Sequence, residues 1–142
     1  MPQNLSDLMS TNVFSVTPDQ SIQEAATLMK EHDVGSIPVV ENGQLTGIIT
    51  DRDITLRSTA AGSSSDVPVS ECMSSHITSA TSSMDVHEAA ALMAEHQIHR
   101  LPVVDNGQLV GMLAIGDLAT QDIYENEAGQ ALHDISKKEG LS

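Results

Sequence analysis

The residues best suited to chemistry lie in one heptapeptide, Gly47-Ile48-Ile49-Thr50-Asp51-Arg52-Asp53. Two β-branched residues read as the end of a buried strand. Thr50 followed three residues later by Asp53 is a Thr-x-x-acid pattern, the signature of a capped helix start. Such a start presents free backbone N–H groups and the positive end of a helix dipole, which suit an anion. Arg52 adds a full positive charge, and the Asp53 carboxylate has the acceptors to hold two neighbouring hydroxyls, as on a ribose. The chemistry this stretch offers is phosphate and diol recognition. Thr50 and Asp53 acting only as a helix cap is the competing reading.

Composition narrows the partners. The 142-residue chain carries 6 Lys and Arg against 20 Asp and Glu, a formal charge of −14. That charge opposes nucleic acids and anionic membrane surfaces. There is one Phe, one Tyr and no Trp, so there is no aromatic platform for single-stranded bases. No apolar run approaches the ~18 residues that span a bilayer, and Met1 to Ser10 lacks the basic and apolar regions of a signal peptide. The single cysteine, Cys72, rules out an intrachain disulfide, fits a reducing cytoplasm and reads as a small buried residue. In so acidic a chain an anion needs a local group of arginines, and the three present are Arg52, Arg57 and Arg100.

The elements that must position these residues come from an internal repeat. A shift of 64 residues aligns the two halves without a gap. Ser6-Asp7-Leu8-Met9-Ser10 falls on Ser70-Glu71-Cys72-Met73-Ser74, and Ile37-Pro38-Val39-Val40-Glu41-Asn42-Gly43 falls on Leu101-Pro102-Val103-Val104-Asp105-Asn106-Gly107. Each copy opens on a short helical turn capped by Ser6 or Ser70. A short extended segment follows, Val13 to Val16 or Ile77 to Ala80. The apolar period predicts amphipathic helices over Ser21 to His32 and Asp85 to His96. Hairpins turning at Asn42-Gly43 and Asn106-Gly107 come next, with return strands Leu45 to Ile49 and Leu109 to Leu113. The last helices start at Asp51 and Ile115, the second running to about Ile123. Residues 5–58 are the first repeat, 59–68 a linker, 69–120 the second repeat, and 121–142 a C-terminal helix and tail. The fold class is α+β (α/β): two β-α-β-β-α units packed sheet to sheet about a pseudo-twofold axis, with helices outside.

The doubled pattern (I/L)-P-V-V-(E/D)-N-G-x-L-x-G, closing on Thr50-Asp51-Arg52-Asp53 and Ala114-Ile115-Gly116-Asp117, resembles a tandem pair of CBS domains, a Bateman module. It is similar to the small stand-alone CBS-pair proteins of bacteria and archaea. The resemblance implies a regulatory module, not an enzyme, that binds an adenosine-containing nucleotide (AMP, ADP, ATP, NAD(H) or S-adenosylmethionine) in the cleft between the repeats and signals to a protein partner. It implies that Thr50 and Asp53 hold the ribose, and that Val13, Ile37 and Pro38 flank the adenine. His99 and Arg100 reach the phosphates, joined by Arg52. It also implies a homodimer, with no cofactor required.

The copies differ where function would show. The second keeps Asp117 but has Ala114 and Gly116 in place of Thr50 and Arg52, while Gly35-Ser36 of the first becomes His99-Arg100. One competent site and one degenerate site at Asp117 are expected. Six histidines are present, but His96-x-x-His99 lacks the remaining ligands of a zinc set, so no metal site is expected. Met29, Met73, Met84, Met93 and Met112 read as core filler. No hydrolase, Walker or Rossmann pattern occurs. The alternative function is a dimerisation scaffold without a physiological small ligand.

Overall fold

The computed structural model describes residues 4–119. The expected C-terminal helix and the continuation to Ile123 lie outside these residues. Among these residues two compact units are present: Phe14–Ile77, and 4–13 together with 78–119.

In the unit Phe14–Ile77, helix α1 spans Ile22–His32. Ser21 is its N-cap, and its hydroxyl accepts from the Glu24 amide at 3.1 Å. Ile22, Ala25 and Met29 are buried in the core, the spacing of one helix face. The helix ends in a left-handed residue, Asp33 at φ 53°, and the Val34 amide closes back on the Met29 carbonyl at 3.1 Å. Strands β1, Ser36–Glu41, and β2, Gln44–Thr50, form an antiparallel hairpin. Its turn residues, Asn42 and Gly43, have φ of 54° and 81°, the geometry that matches the strand twist. Helix α2, Asp51–Asp53, follows and continues as π-helical turns over Ile54–Thr59.

The other unit follows the same template. Helix α3 spans Val86–His96 with Asp85 as N-cap, β3 spans Arg100–Asp105, β4 spans Gln108–Ala114, and α4 spans Ile115–Ala119. Met93, Leu101, Val103, Leu113 and Leu118 are all buried in its core. The strands therefore form two hairpins, one per unit, and the mixed helix-and-sheet class read from the sequence is the one observed.

The expected first strands are reduced to single parallel bridges, Val16 to Val39 and Ala80 to Val103. Each segment meets the hairpin edge through one residue only: the Val16 amide donates to the Pro38 carbonyl at 3.1 Å and the Val40 amide to the Val16 carbonyl at 2.8 Å, and Ala80 is held in the same way by Pro102 and Val104 at 2.9 and 2.7 Å. The hairpin register shifts beside each contact, at Val39/Val40 and Val103/Val104, where Thr46 or Val110 of the return strand is left out of the ladder.

The opening turns are 3-10 turns, Leu5–Asp7 and Val69–Glu71, and Ser6 and Ser70 do not cap them. The N-caps are Asn4 and Pro68, neither with a side-chain bond. No cap is needed because the free amides pair with backbone. Leu5 and Ser6 donate to the carbonyls of Met84 and Ser82, and Val69 and Ser70 donate to those of Gln20 and Pro18.

These pairings reveal an exchange. The segment that opens the first repeat completes the core of the unit built from the second, where Leu5 is fully buried. The segment that opens the second repeat, with Val69 and Cys72, completes the core of the unit built from the first. Each is seated by a strand glycine. Ser74 exchanges both backbone hydrogen bonds with Ile48 at 2.9 Å beside Gly47, and Ser10 does the same with Met112 beside Gly111.

Candidate functional site

Where β2 runs into α2, Thr50 keeps an extended backbone, φ −116° and ψ 162°. Its hydroxyl accepts from the Asp53 amide at 3.0 Å, and Asp53 Oδ2 accepts from the Thr50 amide at 3.0 Å. The capping box is complete. Thr50 Oγ1 is used there as an acceptor, so its hydroxyl proton can still be donated. Asp53 Oδ1 lies outside the box, 3.9 Å from Arg57 Nε. The Asp53 side chain is 15% exposed. A donor and an acceptor thus stand side by side on a rigid junction, the arrangement a vicinal diol requires.

Ser36 pairs with Thr50 across the hairpin, and the Asp51 amide donates to the Gly35 carbonyl at 2.9 Å. Ser36 and Asp51 therefore belong to the same junction. Sequence reasoning named both only as parts of the repeat and gave neither a role in binding. The signal that finds them is the register, which sets Ser36 opposite Thr50. Arg52 is exposed, and its amide bonds the Asp51 carboxylate at 2.8 Å. Ile37 is 1% exposed and its side chain lies in the core of its unit. Pro38 is also buried. Only the backbone and edges of this pair remain for an adenine.

The matching junction in the other unit carries His99, Arg100 and Asp117. The backbone is the same: the Ile115 amide donates to the His99 carbonyl at 2.8 Å, and Arg100 pairs with Ala114. Asp117 Oδ2 accepts from the Ala114 amide at 2.9 Å, so half of the capping box survives without the hydroxyl. His99 is exposed and Arg100 is partly buried. Burial pulls the Arg100 guanidinium below its usual range, and the negative charge of Asp117 opposes that pull. Arg100 is thus electrostatically engaged by Asp117 inside its own unit. Val13 belongs to this unit as well, whereas Ile37, Pro38, Thr50, Arg52 and Asp53 belong to the first.

Cys72 is 2% exposed. Burial pushes its thiol up, with Glu71 and Asp53 adding to the effect and Arg57 opposing it. It is a core thiol, not a nucleophile. Among the described residues no group of three or more His, Cys, Asp or Glu is gathered to hold a metal. Nor is any helix among them long and apolar enough to cross a membrane.

A family model for the CBS domain matches residues 5–58 and again residues 69–122. The chain belongs to the CBS domain family. Over 133 residues it is 53% identical to the CBS domain-containing protein YhcV of Bacillus subtilis, covering 94% of this chain and 95% of that protein. Among solved structures, CBSX2 in complex with AMP matches with a TM-score of 0.74 at 26% identity, over 87% of this chain and 98% of that one. The CBS domain pair of protein MJ0100, in complex with 5′-methylthioadenosine and S-adenosyl-L-methionine, matches with a TM-score of 0.72 at 27% identity, over 84% and 95%. The fold is thus that of a CBS pair, a regulatory module, and the two solved pairs named here hold adenosine-containing ligands.

Proposed function

We infer that this CBS pair is a non-catalytic sensor of an adenosine-containing nucleotide (AMP, ADP, ATP, NAD(H) or S-adenosylmethionine), acting in the cytoplasm as a homodimer that signals to a protein partner. Thr50 and Asp53 take the ribose hydroxyls. Arg52, His99 and Arg100 take the phosphates. Val13, Pro38 and the backbone at Ile37 flank the adenine. The junction at Asp117, without a hydroxyl, is the degenerate one.

The observation that carries this reading is the Thr50–Asp53 lock. It spends one oxygen of Asp53 and the acceptor side of Thr50 on the fold, leaving a donor and an acceptor aligned for a diol. Two structurally similar CBS pairs hold AMP, and 5′-methylthioadenosine with S-adenosyl-L-methionine, and all three ligands contain an adenosine diol. One observation favours a dimerisation scaffold instead: the capping box is satisfied without any ligand.

Isothermal titration with AMP, ADP, ATP, NADH and S-adenosylmethionine separates the two. Binding that is weakened at least tenfold by Asp53→Ala supports the sensor. No heat with any of the five at millimolar concentration supports the scaffold. The phosphate assignment is tested on Arg100→Ala, which is expected to weaken AMP but not adenosine. Equal weakening of both removes Arg100 from the phosphate site.

A further inference from the structure

In the unit Phe14–Ile77, the helix that begins at Asp51 leaves α geometry after three residues and continues as π turns over Ile54–Thr59. Turns of this kind recur at functional positions. Arg57 stands within them. Its Nε is 3.9 Å from Asp53 Oδ1. Its Nη1 donates to two backbone carbonyls, of Cys72 at 3.4 Å and of Met73 at 3.3 Å. One side chain thereby joins the carboxylate assigned to the ribose and the exchanged segment that opens the second repeat. That segment then runs on to Thr78, where the other unit begins. In the second repeat the residue matching Arg57 is Gln121, so the charge belongs to one copy alone.

The link is built to be broken. The Arg57 side chain is 56% exposed, its contacts are long, and an exposed ion pair is weak. Asp53 Oδ2 is already held by the Thr50 amide, so the diol and Arg57 draw on the same remaining oxygen. A guanidinium is an effective double donor only while its plane is oriented. Once Asp53 is taken by a diol, that orientation is lost.

We propose that Arg57 is the relay of this site: a nucleotide that occupies Asp53 releases Arg57 from the Cys72 and Met73 carbonyls and loosens the segment leading into the other unit. The proposal rests on the assignment of the ribose to Asp53.

Cys72 supplies the readout, being the single cysteine of the chain and 2% exposed. Its labelling rate by a neutral thiol reagent reports how often the segment opens. Arg57→Ala in the full chain is expected to label about fivefold faster, the range of a weak exposed ion pair with its hydrogen bonds. An arginine acting only through its charge gives the opposite sign. It favours the Cys72 thiolate, so its loss would slow labelling. Arg57→Lys, which keeps the charge but not the fork, is expected between wild type and Arg57→Ala. Saturating AMP, with binding followed by calorimetry on the same samples, is expected to speed labelling of the wild type and to leave Arg57→Ala unchanged. Labelling of Arg57→Ala at or below the wild-type rate overturns the clamp. Should that variant not fold, Arg57→Lys at the wild-type rate does the same. AMP binding with unchanged labelling overturns the relay. No AMP binding together with fast labelling of Arg57→Ala supports the clamp and overturns AMP as the nucleotide that releases it.

Discussion

Replacing Gly47 with alanine tests the seat of the exchanged segment. A Cβ built there meets Met73 Sδ at 2.6 Å, the Ser74 carbonyl oxygen at 2.9 Å and Met73 Cγ at 3.2 Å. Comfortable carbon contacts begin near ~3.5 Å. The methionine end is flexible and can swing away. The Ser74 carbonyl cannot, because it accepts from the Ile48 amide at 2.9 Å and the reciprocal bond is equally short. Relief needs a main-chain shift of roughly half an ångström in a segment that also buries Val69 and Cys72. Overpacking of this kind costs about 1–3 kcal/mol. A value near 2 kcal/mol corresponds to a Tm lower by about 5–10 °C in a chain of this size. Urea unfolding of Gly47→Ala is expected to show a lower midpoint at an unchanged m-value. Gly111→Ala is the twin, with Met9 Sδ at 2.5 Å and the Ser10 carbonyl at 3.0 Å. Gly116→Ala is the control: nothing lies within 4 Å of its Cβ, and it sits in α4, so alanine is expected to stabilise by about 0.5–1 kcal/mol. A Gly47→Ala protein within 0.5 kcal/mol of wild type refutes the reasoning. So does full rescue by Met73→Ala, because it would mean that the carbonyl yields freely.

Three further outcomes follow from the same geometry. Ala114→Thr adds the hydroxyl missing beside Asp117, which already accepts from the Ala114 amide. It is expected to raise stability by about 1 kcal/mol, and Thr50→Ala to lower it by a similar amount, both read by urea unfolding. Asp105 accepts from the Ser82 hydroxyl at 2.6 Å and from its amide at 3.0 Å, which hold its carboxyl below the usual range. A depressed carboxylate stabilises above its unfolded pKa of about 3.9 and loses that contribution as pH falls through the folded value. The Tm loss on acidification below about pH 4 should therefore be shallower in Asp105→Asn than in wild type. Leu5→Ala, at a fully buried position in the exchanged turn, is expected to cost about 2–5 kcal/mol, while Leu56→Ala, 51% exposed, should be close to neutral in the same denaturation series.

Much of the fold was legible because its signals are local. Ser21 and Asp85 before an apolar period, Asn-Gly between alternating strands, and Thr50 three residues before Asp53 each act within a few residues. The helices, turns and capping box stand where these signals put them. The exchange was not legible. Ser6 and Ser70 looked like caps because a serine before an acid usually is one, yet their turns are anchored by carbonyls far along the chain, at Met84 and Ser82 or at Gln20 and Pro18. The same is true of the single bridges that hold Val16 to Val39 and Ala80 to Val103. Arg57 also escaped. Its partners, Cys72 and Met73, are offered through backbone oxygens, and a carbonyl leaves no mark on residue type.

The two units also show why side-chain differences between the junctions carry weight. Their backbones are matched bond for bond: Asp51 to Gly35 and Ile115 to His99, Thr50 to Asp53 and Ala114 to Asp117. A fold that tolerates Gly35 or His99, Ser36 or Arg100, Thr50 or Ala114, and Asp51 or Ile115 on one template does not require any of them for its own stability beyond a cap. The template alone therefore does not account for an arginine beside a lone acid in one unit, or for a hydroxyl, an acid and a second arginine in the other. The nucleotide proposed above accounts for the hydroxyl and the acid of the first junction through its diol, whereas a scaffold without a small ligand offers no reason for Thr50 to stand where the template accepts Ala114.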